Sequence, residues 1–274
     1  MRKVFCELTG QELILPDKIR RIVSLSPAVT ETLYLVGVEK EIAGVTAFDV
    51  HPEEAKGKPV LAGYNKVSMS KLRDLKPDII FAVTGYQRST ALELSKLYPT
   101  YLIELPVSVA SIVDMVIKVG IVTGKIHESR TLSKNLLKSF SKIHDRLKGS
   151  VYVEIDLGGP VTFGAYSYIT DGLYTIGLNN IFSNHLTEWE KPDFDTVNSA
   201  NPDYIIYEPK MFRRVGQEKV FSMFKERGWD NLHSKVLVTP GPYDFLAHHG
   251  PSFITKALPW IVANASKAAR LNEL

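Results

Sequence analysis

KIHESRTLSKNLLKSFSKIHDRLKG, residues 125–149, decides how this chain is divided. Ile126, Leu132, Leu136, Leu137, Phe140, Ile143 and Leu147 recur at spacings that fall on one face of a helix. Lys125, Arg130, Lys134, Lys138, Lys142, Arg146 and Lys148 form either a solvated opposite face or a docking patch. At a rise of about 1.5 Å per residue, a helix over 125–148 spans roughly 35 Å, enough to cross between two small domains. SVASIVDMVIKVG (108–120) predicts a helix ahead of it, punctuated by Gly120 and Gly124, and no strand pattern interrupts 107–148.

On both sides of this helical stretch, apolar runs alternate with helical ones. RIVSLS (21–26) reads as a buried strand and SPAVTETLYLVGV (26–38) as the helix after it, with Pro27 at the favoured first position and Gly37 closing it. EIAGVT, KPVLAG, PDIIFAV and TYLIEL continue as strands, with SMSKLRDLK and STALELSKL as helices. Beyond Gly149 the pattern restarts: SVYVEI, PDYIIYE and KVLVTP are strands, and YITDGLYTIGL, DTVNSAN, QEKVFSMFKERGWDNL and SFITKALPWIVANAS are helices. VFCEL and LILP, joined by TGQE, predict a short amino-terminal hairpin. Such alternation favours parallel α/β sheets. The expected architecture is two Rossmann-like α/β lobes, 1–106 and 149–274, with parallel sheets, joined by a long rigid helical bridge over 107–148, with a ligand cleft between the lobes. An internal echo supports the duplication: LRDLKPDIIFA and VNSANPDYIIYE each run from a short helix through Pro-Asp into an apolar strand.

Composition narrows the function. The 274 residues are 45% hydrophobic and 23% charged, which suits a chain that buries a substantial core. With 33 basic against 30 acidic residues and no basic tail, a nucleic-acid partner has little electrostatic support. Cys6 is the lone cysteine, which excludes an internal disulfide and a cysteine metal cluster. The opening MRKVFCELTGQELILP lacks the apolar run of a signal peptide, and no stretch reaches transmembrane length. The chain therefore either stays cytoplasmic or follows an export or anchor segment that would make it extracytoplasmic and membrane-associated.

Ligands of parallel sheets lie beyond the carboxyl ends of the strands, and there the chain carries SLSPAVTE, TGYQRST, GGPVTFGAYSYIT and TPGPYDFLAHHGPS. In or near these loops, Tyr64, Tyr86, Arg88, Phe163, Tyr166, Trp189, Phe245 and His248 are the candidate ligand contacts. Aromatic rings offer large apolar area with few rotatable bonds, so the implied ligand is large and flat or partly apolar. His248 is the best candidate for contact with a metal carried by the ligand, and His51 reads as a turn residue. No dinucleotide fingerprint, P-loop, nucleophile elbow or zinc-protease helix is present. Glu31, Asp49, Glu154, Asp156, Asp171 and Asp244 could supply an acid and base pair, but nothing singles one out, and the chain is expected not to be an enzyme, with no catalytic cofactor and no resident metal.

RIVSLSPAVTETLYLVGVEKEIAGVT, VLAGYNKVSMSKLRDLKPDIIFA, VEIDLGGPVTFGAYSYITDGL, GLNNIF, FDTVNSANPDYII and HHGPS together resemble the helix-bridged class III of ABC-transporter substrate-binding proteins, the group that binds cobalamin, haem and iron siderophores. The resemblance covers about residues 18 to 265, and GVTAFDVHPEEA with the TFGAYSYI and NNIF runs is more similar to its cobalamin branch. It implies capture of cobalamin or a related corrinoid, with haem or a ferric siderophore as alternatives, by a monomer that hands the ligand to an ABC importer permease. It also implies a surface acid ahead of each Pro-Asp, which here is Asp195 in one half and Ser70 in the other; Glu53, Glu54 or Asp74 are the acids near Ser70. Ser70 departs from that pattern and keeps open an intracellular ligand-binding protein or an enzyme on the same fold. A continuous bridging helix implies lobe movements of only a few degrees.

Overall fold

The computed structural model describes the chain except Tyr64, Asn65, Asp230, Pro242 and residues 272–274, and of Tyr86 only the backbone. The described residues form two compact units, one comprising 1–105 and 112–137, the other 106–111 and 138–274.

The first unit begins with an antiparallel hairpin, β1 (Arg2–Cys6) and β2 (Gln11–Leu15). Cys6 is fully buried there, its Sγ 3.4 Å from the Leu102 N–H that it accepts. The main sheet is built from β3 (Ile22–Ser24), β4 (Ile42–Thr46), β5 (Val60–Ala62), β6 (Ile79–Val83) and β7 (Thr100–Ile103), all parallel, in the order β5-β4-β3-β6-β7. The helices α1 (Pro27–Leu35), α2 (Met69–Leu75) and α3 (Arg88–Ser95) make the crossovers. β6 is buried along its whole length, as a continuous apolar strand with both faces covered must be.

The chain passes to the second unit through α4 (Val109–Thr123) and α5 (Ile126–Ser141), two helices in succession. Gly124, at φ +78°, breaks the ladder between them. Gly120 lies inside α4, where a Cβ would stand 2.0 Å from the Ser129 hydroxyl of α5, so its missing side chain permits the close approach. The buried residues of α5 are Ser129, Ser133 and Leu136; of the apolar face expected from spacing, Leu136 is buried whereas Ile126 and Leu137 are exposed. α5 also stops at Ser141 and does not run to 148: Asp145 takes φ +49°, and the N–H groups of Asp145 and Leu147 donate to the carbonyls of Thr175 and Ile176.

The second unit contains β8 (Gly149–Asp156), β9 (Pro160–Phe163), α6 (Tyr168–Thr175), β10 (Leu178–Asn180), β11 (Trp189–Glu190), α7 (Phe194–Ala200), β12 (Tyr204–Glu208), α8 (Gln217–Glu226) and β13 (Lys235–Val238). A π-helical turn (Phe253–Ala257) leads into α9 (Leu258–Asn264). β10, β8, β12 and β13 pair in parallel, repeating the first unit's arrangement. β9 and β11 are antiparallel additions, so this sheet is mixed where a parallel one was expected. The GGPVTF segment, read as a loop, folds back as β9 because Gly158 and Gly159 reverse the chain at φ +103° and +157° while Asp156 accepts both their N–H groups. Tyr152, Phe182, Phe224 and Trp229 anchor the core.

The Pro-Asp echo has one physical cause in both units. α2 and α7 end in left-handed Lys76 and Asn201, and the aspartate that follows caps the start of the neighbouring strand. Asp78 accepts the N–H groups of Arg20 and Arg21 at 2.8 and 2.9 Å. Asp203 accepts the Ser150 N–H at 2.7 Å. No helix of the described residues is long and apolar enough to cross a membrane.

Candidate functional site

In the first unit the strand order reverses its direction of growth at β3 and β6, and open parallel sheets bind ligands beyond the carboxyl ends of such strands. The chain leaving β6 turns through Gly85–Gln87 directly into α3. This puts the backbone of Tyr86 and the exposed Arg88 at that reversal point. The Tyr86 side chain and all of Tyr64 lie outside the described residues.

The second unit carries five of the expected contacts, in two groups. β9 ends at Phe163, whose register partner on β11 is Trp189. Just beyond, the N–H groups of Ala165 and Tyr166 donate to the carbonyls of His185 and Thr187 at 2.8 and 3.0 Å. Gly164 is required between them, since a Cβ would come within 2.5 Å of the His185 carbonyl oxygen. Asn180 fastens the same corner: its side-chain amide donates to the Phe163 carbonyl at 2.7 Å and its oxygen accepts the Phe182 N–H. Glu190 of β11 braces its own 185–190 segment, through His185 Nδ1 at 2.7 Å and the Thr187 hydroxyl at 3.2 Å. Phe163 is buried by this bracing, whereas Tyr166 and Trp189 remain 54% and 53% exposed on adjacent, rigidly tied segments. Large aromatic side chains held open in this way are suited to stacking against a flat ligand.

The other group surrounds Glu208, at the carboxyl end of β12. Its buried carboxyl accepts the N–H groups of Leu246 at 2.5 Å and Ala247 at 3.1 Å, and that of Phe245. Burial pushes this carboxyl up to about 8, with Asp244 adding to the effect and the N–H groups opposing it. Burial also raises Asp244, against which His248 acts. His249 is pushed down to about 3 by burial, with His248 contributing. The Tyr168 hydroxyl donates to the Leu246 carbonyl at 2.7 Å, and Phe245 packs edge-on to Trp260 at 5.7 Å. Phe245 and His248 are thus buried members of a loop wrapped around Glu208. Sequence reasoning did not single out Glu208; a glutamate ending the apolar run PDYIIYE was the available signal.

The other carboxylates considered as acids or bases have structural roles. Glu154 is held by Arg227 at 2.6 and 2.9 Å and by the Tyr152 hydroxyl at 2.7 Å. Asp171 accepts the Val109 N–H, Asp49 the Thr46 N–H, and Glu31 lies 3.6 Å from His51 Nε2. Among the described residues, no group of three or more histidine, cysteine or acidic side chains is arranged to hold a metal. On the surface, Asp195 is exposed in the first turn of α7, and Ser70, Glu53, Glu54 and Asp74 are exposed on the other unit.

A model of the periplasmic binding protein family matches residues 22–232. The chain is 22% identical to an ABC transporter substrate-binding lipoprotein of Bacillus subtilis, YvrC, covering 96% of this chain and 83% of that protein. It is 23% identical to the vitamin B12-binding protein of Salmonella paratyphi A, covering 86% and 87%. The molybdate periplasmic binding protein MolA of Haemophilus influenzae superposes with a TM-score of 0.77 at 16% identity, covering 97% of this chain and 92% of that one.

Proposed function

This chain belongs to the periplasmic binding protein family, and we propose that it captures a corrinoid ligand and delivers it to an ABC importer. It is a binding protein and not an enzyme, it acts on the extracytoplasmic side of the membrane, and it works as a monomer with a permease partner. The observation that carries the corrinoid reading is the pair Tyr166 and Trp189, held half open by backbone hydrogen bonds and the Glu190 brace. A corrin ring presents a broad, partly apolar face, and two fixed aromatic rings bind such a face at little entropic cost. The vitamin B12-binding relative supports the same choice. Phe163 and Phe245 back the aromatic surface, His248 contacts the edge of the ligand, and Tyr64, Tyr86 and Arg88 are the proposed contacts from the first unit. Asp195, with Glu53, Glu54 or Asp74 taking the place of an acid at Ser70, guides docking on the permease.

Native mass spectrometry with visible absorption tests this on protein exposed separately to cobalamin, haemin, a ferric siderophore and molybdate. Retention of one cobalamin per chain is expected. Selective retention of another of the four replaces the corrinoid, and retention of none removes the receptor reading.

A further inference from the structure

We propose that the groove along the outer edge of β13, in the second unit, is a separate binding site for an organic anion with an apolar body. β13 ends the sheet, and the tail covers only its beginning, through Val236 N–H to Ala269 O and Leu271 N–H to Ser234 O. Beyond that pairing the edge borders a cavity of about 700 Å³, within the range of small-molecule sites. None of the candidate ligand contacts named above lines it.

Its lining is one-signed. Arg213, Arg214 and Lys267 border the groove, and no aspartate or glutamate is among the described residues that do. A concave surface carrying cations alone concentrates anions. The floor is apolar, with Val236 and Val238 of the strand and Trp260 of α9. Gly216 caps α8 at the groove without a side-chain cap, so the first N–H groups of that ten-residue helix add to the positive potential. An independent sign points to a ligand: Thr239, 4% exposed and lining the cavity, has a buried hydroxyl with no hydrogen-bond partner among the described residues. Native structures rarely leave such a group unsatisfied, and an anionic head in the groove would accept its hydrogen bond. The site takes a carboxylate, sulfonate or phosphate joined to a hydrophobic body, the head on the arginines and the body on Trp260.

The test uses the full chain with 8-anilinonaphthalene-1-sulfonate as fluorescent probe and valine-methyl NMR to locate it. The probe should shift the methyl signals of Val215, Val236 and Val238 and be displaced by decanoate but not by decyltrimethylammonium. R213E/R214E alters two exposed side chains and should weaken the probe about tenfold or more. In the native chain, affinity should fall as salt rises, a readout independent of whether the variant folds. Wild-type affinity in a folded R213E/R214E, displacement by the cationic surfactant as readily as by decanoate, salt-independent binding, or methyl shifts elsewhere would each overturn the proposal.

Discussion

Glu208 and His249 give stability two opposite pH dependences. An unfolded glutamate ionises near 4.5, whereas burial holds Glu208 protonated up to about 8. Between those values the folded state keeps a proton that the unfolded state has lost, so this contribution is full below 4.5 and is lost as pH rises through 8. His249 acts in reverse: its unfolded value is 6.5 and its folded value about 3, so its contribution is present above 6.5 and lost as pH falls toward 3. Glu208→Gln, a neutral match for the protonated acid, should therefore flatten the decline in stability between pH 5.5 and 8, measured by urea unfolding at each pH. Parallel profiles for the two proteins would show that Glu208 does not titrate in that window. Trp189→Ala and Tyr166→Ala test the ligand surface at the same scale. Both side chains are half exposed, so each variant should keep its melting temperature while cobalamin affinity drops about tenfold. A lowered melting temperature with unchanged affinity would make the two rings structural.

The contact between α4 and α5 depends on one absent side chain. A Cβ at Gly120 would meet both Ser129 Oγ at 2.0 Å and Ser129 Cβ at 2.2 Å, and the Lys125 carbonyl at 2.9 Å. Gly120→Ala should cost about 1–3 kcal/mol through overpacking, despite alanine's better helix propensity. Adding Ser129→Gly removes the two nearest obstacles, so the double variant should recover part of that loss, a non-additivity measurable in a double-mutant cycle. This contact also explains why the apolar spacing of 125–148 misled. Helical periodicity identifies an apolar stripe, but which stripe meets a neighbour depends on the residues of the neighbour. Gly120 admits Ser129 to the contact, Ser133 and Leu136 are buried with it, and Ile126 is left outside. The end of α5 was equally illegible, because the residues that take over its backbone partners, Thr175 and Ile176, lie far along the chain.

For the whole chain, the family assignment makes docking on a permease separable from ligand capture. Asp195 is exposed, sits in the first turn of α7 and is not among the residues proposed to touch ligand. Asp195→Asn should slow association with the importer several-fold, with ligand affinity unchanged, because exposed charges chiefly guide encounter. Loss of ligand affinity in that variant would refute the separation. By itself the sequence determined the duplicated α/β architecture, since strand and helix periodicities and the Pro-Asp caps are local and occur twice. It also marked the segments that carry Tyr86, Arg88 and Tyr166, because these follow strands whose apolar runs are plain, but not the short strand β11 that carries Trp189. Only the tertiary structure decided that Phe163 is buried while its register partner Trp189 is open, and that Glu208 organises the loop bearing Phe245 and His248. Register and burial arise from pairings between distant segments, and those pairings leave no periodic trace in the sequence.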